Sequence, residues 1–340
     1  MPRQTARMGR WMRRVTFVAT AVLVGLGVAF GTYGLSVQPG AALVKAVFEA
    51  KPEVTPPAGF DDVERTVTVS DRITITTGVT PAAGLTISTP IAPATNPLPV
   101  ILWIHGGGFI SSSAATVRDY AVLLTSHGYV VANLDYSLAP ESRHPVPVLQ
   151  ANAALGYLSA HAADYGGDAT RIVVGGDSAG AQIASEVAAL QTNPQLAETL
   201  SAAPALAEGQ LRGAILFCGL YNMRTVADTG FPALRTYLWS YTGSRNWTDY
   251  SEIDVLSTTS TATSAFPPTF LTVGDADPFR TQATELADTL QSLGVPVTSL
   301  RWEGTGDKLG HEYQFDFSLP QAQTALESTL EFLNSLEATS

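Results

Sequence analysis

The sequence predicts an α/β fold: a mostly parallel central sheet with helices on both faces, a small cap, and an apolar membrane helix ahead of it. Three observations carry this. Short apolar strands alternate with amphipathic helices along most of the chain, the pattern of parallel βαβ units. One strand, Arg171 to Val174, runs through Gly175-Gly176-Asp177-Ser178-Ala179-Gly180 into a helix from Ala179 to Leu190, with the spacing G-x-S-x-G at the join. An uncharged run of 23 residues, Val15 to Val37, follows an arginine cluster at the N-terminus.

The chain has 340 residues, of which 45% are hydrophobic, enough for one large core. Residues 1–14 form a basic tail that holds five arginines (Arg3, Arg7, Arg10, Arg13, Arg14) and no acid. Removing those five charges from the net of −11 leaves −16 on the rest, which argues against nucleic acid as a partner. Residues 15–37 are long enough to span a bilayer as a helix, with the arginines held on the cytoplasmic side. The expectation is a membrane-anchored protein with the body of the chain on the extracytoplasmic side; the alternative is secretion after signal cleavage near Ala29-Phe30-Gly31. Gly27 and Gly31 form a G-x-x-x-G that could pack two anchors into a homodimer. Cys218 is the single cysteine, so no disulfide can close within the chain; its apolar surroundings predict a buried, inert thiol.

Residues 38–62 read as a linker or cap element, with a helical run from Ala41 to Ala50 and then Pro52, Pro56 and Pro57. The α/β body spans 63–340. Val63 to Val69 and Leu85 to Ser88 alternate as edge or antiparallel strands do. Val100 to Ile104 is a buried strand that ends in His105-Gly106-Gly107-Gly108-Phe109. Consecutive glycines cost backbone entropy, and after a buried strand they supply bare N–H groups able to hold a developing oxyanion. A helix (about Ala114 to His127), a strand (Tyr129 to Leu134) and a longer helix (about Val146 to Ala163) precede the serine strand. Asn193 to Gln210 reads as a surface excursion and Gly213 to Cys218 as a strand. An insert at about 221–262 holds Tyr221, Phe231, Tyr237, Trp239, Tyr241, Trp247 and Tyr250, enough aromatic surface to roof an apolar pocket. Thr269 to Val273 is a strand, Thr281 to Leu293 a helix, Val297 to Trp302 a strand and Gln321 to Leu336 the closing helix.

A serine hydroxyl needs a base to take its proton, and the base needs an acid to fix its tautomer. In α/β-hydrolases the order is serine, acid, histidine, each just after a strand. Of five histidines, only His311 lies beyond Ser178. Asp275 and Asp277 both follow the right strand; Asp277, held extended before Pro278, is the choice for the acid, with Asp275 assigned to backbone bonding. His105 is assigned to bracing the glycine turn. No H-E-x-x-H or clustered ligand set is visible in sequence, so no cofactor or metal is expected.

Together His105-Gly106-Gly107-Gly108-Phe109, Asp135-Tyr136 with Leu138-Ala139-Pro140-Glu141, Gly176-Asp177-Ser178-Ala179-Gly180, Asp277-Pro278-Phe279-Arg280 and His311 resemble the hormone-sensitive-lipase family of α/β-hydrolase esterases. The resemblance implies Ser178 as nucleophile, Asp277 and His311 as its partners, and an oxyanion hole from the N–H groups of Gly107, Gly108 and Ala179. It also implies a cap built from the N-terminal segment and the insert. Ser137, Ala181 and Phe279 depart from the family's usual arginine, glycine and leucine. The expected activity is hydrolysis of short- to medium-chain carboxylic esters, small molecules, through an acyl-enzyme, failing below about pH 6.5 where an unperturbed histidine gains its proton. Alternatives are an acyltransferase or amidase with the same triad, or a non-catalytic ligand-binding member of the fold.

Overall fold

The computed structural model describes residues 36–48, 54–78 and 81–337. The basic tail 1–14 and all but the last two residues of the apolar run 15–37, with its G-x-x-x-G, lie outside the described residues. Among the described residues no helix is long and apolar enough to cross a membrane.

The described chain runs α1 (Gln38–Phe48), α2 (Phe60–Glu64), β1 (Val67–Val69), β2 (Ile73–Ile75), β3 (Ala83–Pro90), β4 (Leu98–Ile104), α3 (Arg118–Ser126), β5 (Val130–Asp135), α4 (Val146–His161) and β6 (Gly167–Asp177). It continues through α5 (Ala179–Thr192), α6 (Pro194–Thr199), β7 (Leu211–Phe217), α7 (Leu234–Thr242), α8 (Thr258–Thr261), β8 (Thr269–Val273), α9 (Arg280–Ser292), β9 (Val297–Arg301) and α10 (Pro320–Glu337). The strands form one sheet in the order β1-β3-β5-β4-β6-β7-β8-β9, with β2 also on β3. From β5 to β9 every pairing is parallel, and the antiparallel strands are confined to the β1–β3 end.

The continuous apolar runs of the central strands follow from burial on both faces. In β4, Val100, Leu102 and Ile104 join the cluster under α4 and α5, while Ile101 and Trp103 join the one under α3 and α10. The registers Ile104↔Gly176, Asp177↔Phe217 and Phe217↔Thr272 bring the C-terminal ends of β4, β6, β7 and β8 to one edge. Ligands of open parallel sheets bind at that edge.

Four local expectations are corrected. The alternating run from Val63 is not all strand: Phe60–Glu64 is a helical turn, entered from Gly59 in the left-handed region (φ 80°), and the strand starts at Val67. Ile73–Ile75 adds a strand the alternation did not isolate. Within the surface excursion, Asn193 caps a short helix by accepting from the N–H groups of Gln195 and Leu196, with Pro194 at its first position. The strand before Ser178 is also longer than its apolar residues show, because the polar stretch from Gly167 belongs to it.

Candidate active site

The strand-to-helix join is built by glycine. A Cβ on Gly180 would stand 2.0 Å from the carbonyl oxygen of Ile104, and one on Gly176 would stand 2.6 Å from the backbone of Gly180. Only bare backbone lets β4, β6 and the start of α5 approach this closely. Between them Ser178 is forced to φ 51°, ψ −117°, a strained position for a side-chain-bearing residue. Its N–H is tied to the carbonyl of Phe217 at 2.8 Å. The hydroxyl therefore stands at the N-terminus of α5, beyond the sheet edge.

His311 arrives from the loop after β9. That loop is laced to the loop after β8: Asp275 Oδ1 accepts from the N–H of Leu309 at 2.6 Å, and the N–H of Ala276 donates to Leu309 O at 3.0 Å. Bare Gly274 permits the contact, since a Cβ there would meet Leu309 O at 2.2 Å. As a result His311 Nε2 lies 2.9 Å from Ser178 Oγ, and its Nδ1 lies 2.9 Å from Asp277 Oδ2. The Asp277 side chain is fully buried, and its other oxygen accepts from the N–H of Phe279 at 2.8 Å. With one carboxylate oxygen fixed by backbone and the other facing Nδ1, the imidazole is oriented with Nε2 toward the serine.

The glycine turn lies beside this group. Gly107 and Gly108 take φ values of 90° and 60°, and the carbonyl of Gly107 accepts from Ile110 N–H, Ser111 N–H and Ser111 Oγ. His105 Nδ1 sits 3.0 Å from Gly106 O, and its ring stacks on Tyr136 at 4.3 Å. Sequence reasoning missed the residue that anchors the turn. Asp177, immediately before the serine and fully buried, accepts from Gly106 N–H at 2.7 Å and from Trp103 Nε1 at 2.9 Å. The signal available was its place, an acid ending a buried strand.

Glu312 was also missed. It sits in the left-handed region (φ 60°) with Oε1 3.6 Å from His311 Nε2. Burial alone would lower the histidine's pKa. The negative groups around it outweigh burial: Cys218 if ionised, Asp277 and Glu312 hold the imidazole pKa well above 6.5. Burial pushes the Cys218 thiol up to about 12. The expected acid limb near pH 6.5 is accordingly moved upward.

The insert closes over the site with its aromatic rings. Phe231 stacks on Phe279 at 4.3 Å, and both present edges or faces to His311 at 4.9 and 5.4 Å. Tyr237 lies against Gly108, where a Cβ would meet its ring at 2.4 Å. Tyr241 stacks on Phe109 at 3.9 Å. Beneath, His144 Nε2 pairs with Glu186 Oε1 at 2.6 Å, both side chains fully buried, and Nδ1 lies 3.1 Å from Tyr250 Oη. This ties the insert to the helix that starts at the serine. Helix α1 packs on α7, and Gln38 Nε2 donates to Glu141 Oε1 at 3.2 Å.

Fold and site define an α/β-hydrolase-fold protein with a serine, histidine and aspartate in hydrogen-bonded sequence. The alpha/beta hydrolase fold family matches residues 101–310, and the chain belongs to that family, in the hormone-sensitive-lipase branch that its motifs resemble. Among curated proteins it is similar to the Carboxylesterase NlhH of Mycobacterium tuberculosis, 28% identical over 219 residues, 59% of this chain and 63% of that one. It is also similar to the versiconal hemiacetal acetate esterase of Dothistroma septosporum, 25% identical over 241 residues, 69% and 72% of the two chains. The chain thus spans less than two thirds of the mycobacterial relative's length. Of solved structures, Esterase B from Lactobacillus rhamnosis superposes with a TM-score of 0.74 at 22% identity, over 89% of this chain and 96% of that one. A bacterial heroin esterase superposes with a TM-score of 0.66 at 25% identity, over 86% and 89%.

Proposed function

We propose that this protein is a serine carboxylesterase that hydrolyses short- to medium-chain esters through an acyl-enzyme. The observation that carries the reading is the unbroken Ser178–His311–Asp277 chain, 2.9 Å at each link, beside a turn of glycines. Similarity to a protein named a carboxylesterase and to one named a hemiacetal acetate esterase supports it.

In this mechanism Ser178 Oγ attacks the ester carbonyl as its proton passes to His311 Nε2. The N–H groups of Gly107, Gly108 and Ala179 receive the carbonyl oxygen as it becomes negative. Each such donor contributes about 3 kcal/mol to the transition state. Imidazolium is stabilised by Asp277 and hands its proton to the leaving alcohol. Water, deprotonated by the same nitrogen, then attacks the acyl-enzyme and frees the acid. Phe231 and Phe279 crowd His311 and Tyr237 crowds Gly108, and this aromatic wall beside the serine supports the reading of short to medium chains.

The uncharged run 15–37 behind its arginine flank supports a further part of the reading: a membrane anchor that keeps the esterase domain extracytoplasmic. Packing through Gly27 and Gly31 would make the anchored protein a homodimer.

The test is labelling by a fluorophosphonate, with rates on acetyl, butyryl, octanoyl and palmitoyl esters. Labelling lost in Ser178→Ala and rates falling beyond octanoyl are expected. A folded wild type that neither labels nor hydrolyses any of the four overturns the proposal in favour of a ligand-binding protein.

A further inference from the structure

We propose that Cys218, Asp277 and His311 form an inhibitory site for a soft divalent cation of the zinc type, which on binding removes the general base. Sequence spacing gives no hint of such a site, because the three residues come from three different loops. The sheet brings them together. Cys218 directly follows the end of β7 in a turned conformation (φ 40°), next in line from the Asp277 loop after β8. The sulfur, a carboxylate oxygen of Asp277 and a ring nitrogen of His311 all lie within 4.8 Å of one another.

Zinc takes thiolate, imidazole and carboxylate ligands at about 2.0 to 2.3 Å, so neighbouring donors in a tetrahedral site sit roughly 3.3 to 3.8 Å apart. Small side-chain movements close the present triangle to that size. Three protein ligands leave the fourth position for water or for Ser178 Oγ. One thiolate and one carboxylate neutralise a divalent ion, so the loaded site buries no net charge. A sulfur and an imidazole also discriminate against magnesium and calcium, which prefer all-oxygen shells. Access is from the His311 side, whose side chain is 17% exposed while that of Asp277 is closed off.

Binding releases one proton, from the Cys218 thiol, to solvent. His311 stays neutral. If the metal takes Nδ1, the imidazole proton must sit on Nε2, where it points at the serine oxygen and leaves no lone pair to accept. If the metal takes Nε2, that lone pair is gone directly. On either nitrogen the base is lost.

The loss of activity rests on the esterase reading, and the binding does not, so the test reads both. Wild type, Cys218→Ala and Cys218→Ser are titrated with zinc chloride, each rate normalised to the same variant's metal-free rate. Binding is followed separately by the thiolate-to-cadmium charge-transfer absorption, in a Ser178→Ala background. We expect reversible inhibition of wild type, restored by EDTA, and at least about tenfold more zinc needed in both cysteine variants, the lower end of what losing even an outer-shell partner costs. The absorption band appears in Ser178→Ala and is absent once Cys218 is also replaced. Equal zinc sensitivity in the cysteine variants, or no band with cadmium, overturns the proposal. A band from a protein that hydrolyses no ester would instead sink the esterase reading and leave the metal site standing.

Discussion

Replacing Glu312 by Gln removes one negative charge 3.6 Å from His311 Nε2 without altering the shape or backbone of the loop. Coulomb's law gives about 1 kcal/mol at this distance for a water-like dielectric and about 4.6 kcal/mol for the effective value of ~20 common near protein surfaces. At 1.36 kcal/mol per pKa unit, the histidine should fall by about 1 to 3 units. Both side chains are less than one-fifth exposed, so solvent screens the pair only in part. The sign follows from the base: catalysis needs neutral imidazole, so activity disappears as pH falls through the folded-state pKa. That pKa is raised in the wild type, which places the acid limb of kcat/KM above pH 6.5, and Glu312→Gln moves it downward. The assay is kcat/KM on a soluble butyryl ester from pH 5 to 9, since this ratio reports the free enzyme. Superimposable limbs for the two proteins would refute the electrostatic argument. So would a wild-type limb already at or below 6.5.

Asp277→Asn preserves shape but loses the charge that orients and stabilises imidazolium; kcat should drop on the order of 10³ to 10⁴ with little change in KM, as steady-state kinetics on the same ester would show. Asp177→Asn turns an acceptor of two buried N–H groups into a side chain with one acceptor and two donors. Leaving a buried donor unpaired should cost about 1 to 3 kcal/mol in urea unfolding, and the loosened glycine turn should lower kcat more than it raises KM. Gly180→Ala places a methyl 2.0 Å from a backbone oxygen that cannot yield; soluble, folded protein should be lost in circular dichroism and expression trials. Ordinary Tm for that variant would show that the strand–helix join has slack.

What was readable in the sequence followed from periodicity and order. Continuous apolar runs located β4, β5, β7 and β8 because two-sided burial leaves no polar residue to interrupt them. The order of Ser178, Asp277 and His311, each after such a strand, selected three side chains that the structure does bring within hydrogen-bonding distance. Features that depend on backbone conformation and cross-chain contact were not readable. Glu312 is a lone acid after a histidine, and nothing local encodes the left-handed turn that swings it back to Nε2. The role of Asp177 has no local signal, since its partners, Gly106 and Trp103, are some seventy residues away. The polar residues that begin β6 lacked any apolar signature, and the turn of helix at Phe60 was too short to show one.

The pair of His144 and Glu186 has a consequence for how the molecule comes to be selective. Both groups are sealed from water and join Tyr250 of the insert to the interior face of α5. A polar contact of this kind, once closed, strongly resists separation, because opening it would strand two hydrogen-bonding groups in an apolar interior. Lifting the roof would break the hydrogen bond between Tyr250 Oη and His144 Nδ1 and leave that buried nitrogen without it. Different ester preferences should therefore arise from exchanging individual rings on the roof, with its attachment untouched, and not from changing how far it swings.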